Sequence, residues 1–520
     1  VPDPAFHILI NVVVRVAEHL ALDGPEALQS RVMTRTYALV FVAALVAGCS
    51  SASPERQVID DAAAALGGAS RIQALTALHI TGSGSAPNAG QNRMPDDELP
   101  VWKVTEHTRA IDLANDRTRV QQFREAQFQF AGATTQRITQ GLDGIVAYNA
   151  APNGTMTRAG DAAARDRRVE LLHHPITVVR AALNPAAKLA NPRTEGDLQL
   201  VDITTAPGDI VTLAIDQSTH LPSKVTSMSN NANMGDVAIV TTFSDYEDVD
   251  GVKLPRKLTT MMDKYLQFDL QVSKNAVNGN VADLAVPDSV KSASVPTPPP
   301  VVVTVEPVAK GIWWLAGSGN HRSVVFEFDD HLVLYEVPVN EARSKAVIDK
   351  ARTLSTKPLT MAIVSHHHFD HSGGLRVAVA EDLTIVTHRA NETFFKDLLA
   401  RQHTIVPDAL QKNPRPAKFE WVDDQMTLKD KSMEVQLYHL LDNTREGTNL
   451  YAYVPRDRIL VQADLYDAGW NQHLWGENVL TNLAQRKLKI DRDVPVHGVI
   501  EPFDQMVKTI KAKPTIAGTN

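Results

Sequence analysis

The sequence predicts a mixed α/β chain in two unlike parts: an antiparallel, half-barrel-like β region over 55–290 and a separate layered α/β domain over 303–515. Three observations carry this. At 520 residues the chain is too long for one compact core. From Ala77 to about Asn278 the pattern alternates with period two, as antiparallel strands with one wet face do. Beyond a proline cluster at 296–300, strands become short and nearly all apolar, Leu359-Thr360-Met361-Ala362-Ile363-Val364 among them, and alternate with helical stretches. That texture belongs to sheets covered on both faces.

The first segment to place is N-terminal. Met33 to Thr36 is a short basic start, Tyr37 to Ala47 an apolar run, and Val46-Ala47-Gly48-Cys49 a box of small residues before Ser-rich chain. The run is too short to span a bilayer comfortably and suits a signal-peptide core. Segment 33–49 therefore resembles a bacterial lipoprotein signal, which implies a lipidated Cys49, a membrane anchor and a periplasmic location. Cys49 is also the sole cysteine, so the chain has no internal disulfide and no multi-cysteine zinc site. Residues 1–32 then read as an upstream extension that is not native. A formal net charge of −8 argues against a sequence-independent nucleic-acid binder, which needs a basic face.

In the β-rich region, 78–85, 211–229 and 237–262 alternate in strand fashion, with turn signals at 220–222 and 248–251. One helix is expected over 162–183, carrying His173-His174 as a partly exposed pair. Phrases such as LAIDQSTHLPSKV and FSDYEDVDGVKLPRKL look like the periplasmic lipoprotein-carrier type of half-barrel. No nucleophile or metal-ligand cluster stands out here. Residues 291–302 read as a stiff, proline-rich linker.

Directly after the strand 359–364 comes Ser365-His366-His367-His368-Phe369-Asp370-His371-Ser372-Gly373-Gly374. Imidazoles and a carboxylate at this spacing suit Zn²⁺, with Fe or Mn as other candidates. Alternation places His366 and His368 on one metal, while Asp370 and His371 turn toward a second. The paired glycines allow a sharp bend into a helix. His388 and His403 have no motif spacing to this loop; His388 is expected to line the pocket.

With this loop, the chain resembles the metallo-β-lactamase superfamily over about 303–503. Phrases at 403–410, 450–467 and 494–498 look most like its glyoxylase-type branch. The resemblance implies an αββα sandwich and a zinc-dependent hydrolase in which metal-bound hydroxide attacks an ester, thioester, lactone or lactam. Asp370 would be the catalytic group that orients the water and takes its proton. Asp464, ending the strand 458–463, matches the bridging aspartate, and His497 matches the last histidine. The third histidine of the first metal is missing. Register from Leu450 puts Arg445 at its place, and a guanidinium has no lone pair to give. His439, six residues upstream, is the substitute candidate. One tight metal and a second weak one are therefore expected, with Arg445, Trp470 and Trp475 facing a small-molecule substrate. The alternative is a degenerate enzyme serving as a periplasmic binder of lipid or another hydrophobic ligand.

Overall fold

The computed structural model describes residues 53–128, 134–470 and 473–512. The signal-like segment, Cys49 and the 1–32 extension lie outside them. The described residues from Val58 onward form one compact unit; of the unit before it, only 53–57 are described, at the start of the helix Pro54–Ala65. None of the described helices is long and apolar enough to cross a membrane.

Thirteen antiparallel strands build the N-terminal sheet. Its hinge is the pairing of the first strand, Ala77–Pro87, with the last, Tyr265–Val277. The next five strands run out on one side of this pair and the remaining six on the other, so every other neighbour is a neighbour in sequence. The alternation in the sequence appears as alternation of burial, for instance over 201–204 and 225–228. Short helices pack on this sheet through Leu171, Ile176, Val178 and Val179, joining Leu213, Val225 and Val272 in one core.

The helix expected over 162–183 is two helices, Asp161–Leu171 and Pro175–Ala182. Pro175 explains the break: a residue before proline avoids the helical region, and His174 is extended at φ −146°. The break also corrects the reading of the histidine pair. His173 and His174 are buried, not partly exposed. His173 meets Thr241 Oγ1 and Ser227 Oγ, both at 2.9 Å, while His174 Nδ1 accepts from Ile176 N and caps the second helix.

After the proline cluster the chain forms a seven-stranded and a six-stranded sheet. The first begins antiparallel and turns parallel at Leu332–Tyr335, which pairs with Leu359–Ile363. Side chains of both sheets, including Phe326, Tyr335, Ile363, Leu437, Ala452 and Val494, share one core. Glu341–Arg352 and Glu392–Ala400 cover the outer face of one sheet; Gly476–Gln485 and Phe503–Lys511 cover that of the other. The layers are thus helix, sheet, sheet, helix.

The two regions are less separate than the linker suggests. Met234, Val237 and Met262 of the N-terminal sheet enter the apolar core beneath Glu341–Arg352. Asp236 accepts from Thr404 N, Thr404 Oγ1 and Ile405 N, and Arg401 pairs with Asp263. Most consequential is the chain that follows the first strand: Asn88 to Gln91 leaves the sheet and lines a pocket of the C-terminal domain. Gly90, at φ +73°, makes this approach possible, because a Cβ there would lie 2.3 Å from the Phe369 ring.

Candidate metal centre

The loop 365–374 leaves the buried strand Leu359–Ile363 and enters a single helical turn, Phe369–Ser372. His366, His368 and His371 are fully buried. Asp464 follows the strand Ile459–Gln462 at φ +58°, and His497 follows Arg492–Pro495. These strands are parallel neighbours, so Asp464 and His497 emerge from the same sheet edge.

Two clusters result, and they share Asp464. Asp370, His371, Asp464 and His497 each offer one ligand atom within 4.8 Å of the others. Asp464 Oδ1 lies 3.0 Å from His371 Nε2 and 2.7 Å from His497 Nε2, and Asp370 Oδ2 is 3.5 Å from His371 Nε2. His366, His368, Glu446 and Asp464 form the second cluster under the same limit. His366 Nε2 is 3.9 Å from Asp464 Oδ2.

Each histidine spends one ring nitrogen outward and turns the other inward. His366 Nδ1 meets Ser365 Oγ at 2.9 Å, and His368 Nε2 donates to Asn92 O at 2.9 Å. His371 Nδ1 donates to Glu336 Oε2 at 2.7 Å, and His497 Nδ1 to Asn320 O at 2.8 Å. Such outer partners fix the tautomer and ring plane of metal-ligating histidines. The inward atoms His366 Nε2 and His368 Nδ1 are buried and meet no hydrogen-bond partner. A buried polar atom left so costs about 1–3 kcal/mol, and a cation accepting both lone pairs would remove that cost. The donor set of imidazoles and carboxylates fits zinc, and also iron or manganese.

The electrostatics point the same way. Burial, with His371 and His368 adding, holds His366 well below the ordinary histidine range, so it offers a lone pair. Burial, and the nearby Arg445, lower His368 to about 4. Burial is the largest influence on His371 and His497 and opposes their charge, yet the surrounding carboxylates, Asp464 first and Asp370 with it, together outweigh burial and raise both. Burial raises Glu446 well above the carboxylate range, Asp464 adds to this, and Arg445 works against it. Surplus carboxylate in a buried site is what a divalent cation would neutralise.

Sequence register put Arg445 at the third-ligand place beside His366 and His368, but the neighbouring Glu446 is the residue that turns inward. Asn443 explains the difference. Its Oδ1 accepts from both Arg445 N (2.8 Å) and Glu446 N (2.9 Å), a side-chain turn that rotates Glu446 into the site. The acidic residue beside the register position was the available signal. The substitute candidate His439 points elsewhere: its Nε2 meets Gly447 O at 2.9 Å and its ring lies tilted against that of His388, centroids 4.0 Å apart. His388 is accordingly absent from the pocket lining, and His403 sits beside Asp408.

Above the clusters lies a pocket of about 510 Å³ lined by Asp370, Arg445, Asp464, Trp470, Trp475 and His497 together with Gln91 and His321. Arg445 lies 5.4 Å from the Trp475 ring, and its Nη2 donates to Gln91 Oε1 at 2.9 Å. Gln91 Nε2 donates to Asp370 Oδ1 at 3.1 Å, and His321 Nε2 faces Asp370 Oδ2 at 3.2 Å. Four residues here carried no motif in the sequence: Gln91, Asn92, His321 and Glu336. Glu336 is fully buried at φ +78° and also accepts from Ser365 N, so it braces the loop at both ends.

No protein-family model matches the chain, and no curated protein matches it. Among solved structures, a metallo-beta-lactamase from Pontibacter korlensis is 16% identical, with 40% of this chain and 97% of that chain covered and a TM-score of 0.31. A metallo-beta-lactamase from Hirschia baltica is 14% identical, covers 40% and 96%, and has a TM-score of 0.31. The metallo-beta-lactamase FIM-1 from Pseudomonas aeruginosa, in its mono-zinc form, is 17% identical over 41% and 96%, with a TM-score of 0.32.

Proposed function

We propose that the chain is a zinc-dependent hydrolase of the metallo-β-lactamase superfamily, acting on the carbonyl of an ester, thioester, lactone or lactam. The observation that carries this is the convergence of Asp370, His371, Asp464 and His497 beneath an open pocket, beside buried imidazole nitrogens with no other partner. Zinc held there supplies Lewis acidity and makes water nucleophilic near neutral pH. The chain's own residues do the rest. Asp370 accepts a proton at Oδ2, the oxygen that His321 faces, while Gln91 fixes Oδ1. Arg445 offers a guanidinium to a substrate carboxylate, and Trp470 and Trp475 supply apolar walls. Turnover of a panel of thioesters, lactones, β-lactams and simple esters by the full chain tests this. Hydrolysis of at least one class, lost on chelation and restored by Zn²⁺, is expected; no turnover by zinc-loaded protein on any of them would count against it.

A second reading has its own observation. The N-terminal sheet and its helices line a half-open, largely apolar cavity of about 1080 Å³, with Val120, Ile138, Met228, Leu258 and Phe268 among its walls. It fits a hydrophobic ligand, and under this reading the metal domain is a degenerate enzyme. Metal binding without turnover, together with displacement of a fluorescent fatty acid from the full chain, would favour it. Under either reading the motif ending at Cys49 leads us to propose a lipid-anchored envelope protein facing the periplasm, and mass spectrometry of the native N-terminus would find acylated Cys49.

A further inference from the structure

The second cluster is a metal site that register alone would leave incomplete. His366 and His368 supply two ligands and Asp464 a shared one, while Arg445 stands where a third histidine belongs. Glu446 is 1% exposed and lies with them. Its Oε2 accepts from Asn449 Nδ2 at 2.5 Å, and its Oε1 is ion-paired with Arg445 Nε at 3.0 Å. Arg445 Nη2 is also 3.7 Å from Asp464 Oδ2. One guanidinium therefore lies against two carboxylates of this cluster, the charge a divalent cation would itself bring. The same guanidinium touches Gln91 and approaches the Trp475 ring, both on the pocket wall. These wall contacts are made at the same time as the pairing with Glu446 and do not depend on it.

We propose that Glu446 is the missing ligand of a second divalent-cation site with His366, His368 and Asp464, and that Arg445 is its displaceable internal counter-ion. The proposal rests on the metal-centre reading above. Two imidazoles and two carboxylates make a donor set for Zn²⁺, Mn²⁺ or Fe²⁺. Loading this site means separating Arg445 from Glu446, so the second equivalent binds more weakly than the first. Arg445 then swings along the pocket wall, where it meets an anionic substrate group.

The test is a calorimetric Zn²⁺ titration of the full chain, stripped of metal with a chelator, in three forms. Wild type should take one tight and one weaker equivalent. Glu446→Gln should keep the tight equivalent and lose the weaker one, and its retained tight site shows that it has folded. Arg445→Met removes the competing cation and should tighten the second equivalent at least tenfold. Two undiminished equivalents in Glu446→Gln overturn the proposal, as does a second equivalent in Arg445→Met no tighter than in wild type. A single equivalent in both wild type and Arg445→Met overturns it as well, while leaving the first metal intact. Should Glu446→Gln fail to fold, the Arg445→Met comparison decides alone. No metal bound by any form would bring down the underlying reading together with the proposal.

Discussion

Asp370 is the least buried member of its cluster and faces the pocket, whereas His371 behind it is sealed. That division suits a group that handles protons beside groups that hold a cation. Asp370→Asn should therefore lower kcat by about 10²–10⁴, the usual scale for a lost acid–base group. The bound-metal content of the first site, measured by elemental analysis, should change far less, because His371, Asp464 and His497 remain. A fall in metal to zero would recast Asp370 as chiefly a ligand. The histidine loop was legible in the sequence because imidazoles two residues apart after an apolar strand have few other uses. Glu446 was only half so: an acidic residue stood beside the register position, but the register does not reveal that Asn443 turns it inward.

At the scale of elements, the segment 88–92 is the unexpected part of the site. It belongs by sequence to the N-terminal sheet, yet Gln91 bridges Asp370 and Arg445, and Asn92 O fixes the His368 ring. Alternation in Ala77–Pro87 announced a strand, but no local pattern announced that the chain beyond it would cross to another domain. Hydrogen bonds to charged groups contribute about 1.5–3 kcal/mol. Gln91→Ala should accordingly reduce kcat/KM by about 10- to 100-fold with metal content unchanged, as steady-state kinetics and elemental analysis would show. Gly90→Ala should be worse than its size suggests, through the clash with Phe369 and the positive φ. We expect it to cost about 1–3 kcal/mol in thermal denaturation, the range of single substitutions with a named steric cause. The broken helix over 162–183 was half legible: Pro175 was visible in the sequence, but the burial of His173 and His174 depended on Thr241 and Ser227 arriving from distant strands.

For the whole molecule, those buried histidines set a pH dependence. Burial, with Arg109 adding, lowers His107 and His173 to about 4 and His174 to about 3. The unfolded chain takes up these protons near 6.5 and the folded chain does not. Stability is then fully present above pH 6.5 and falls as pH drops toward 4. At pH 5 the loss is about 2 kcal/mol per histidine, from 1.36 kcal/mol per pH unit. The Tm of metal-free protein should therefore fall between pH 6.5 and 4.5, and His173→Gln should flatten that fall. An unchanged slope in the variant would place the acid sensitivity elsewhere. The two-part organisation was legible from the change of texture at the proline cluster. The core shared through Met234, Val237 and Met262 was not, because an apolar residue in an alternating strand does not declare which domain covers it.

The most direct measurement is the zinc retained per chain after loading and gel filtration, comparing wild type with Asp464→Ala. Asp464 serves both clusters, and its Oδ1 lies within 3.0 Å of both His371 Nε2 and His497 Nε2. At least one equivalent in the wild type, and a loss of tight zinc in a variant that keeps its circular dichroism spectrum, is the expected result. A wild type that retains no zinc, or a variant that retains as much as the wild type, would contradict a metal centre built on Asp464.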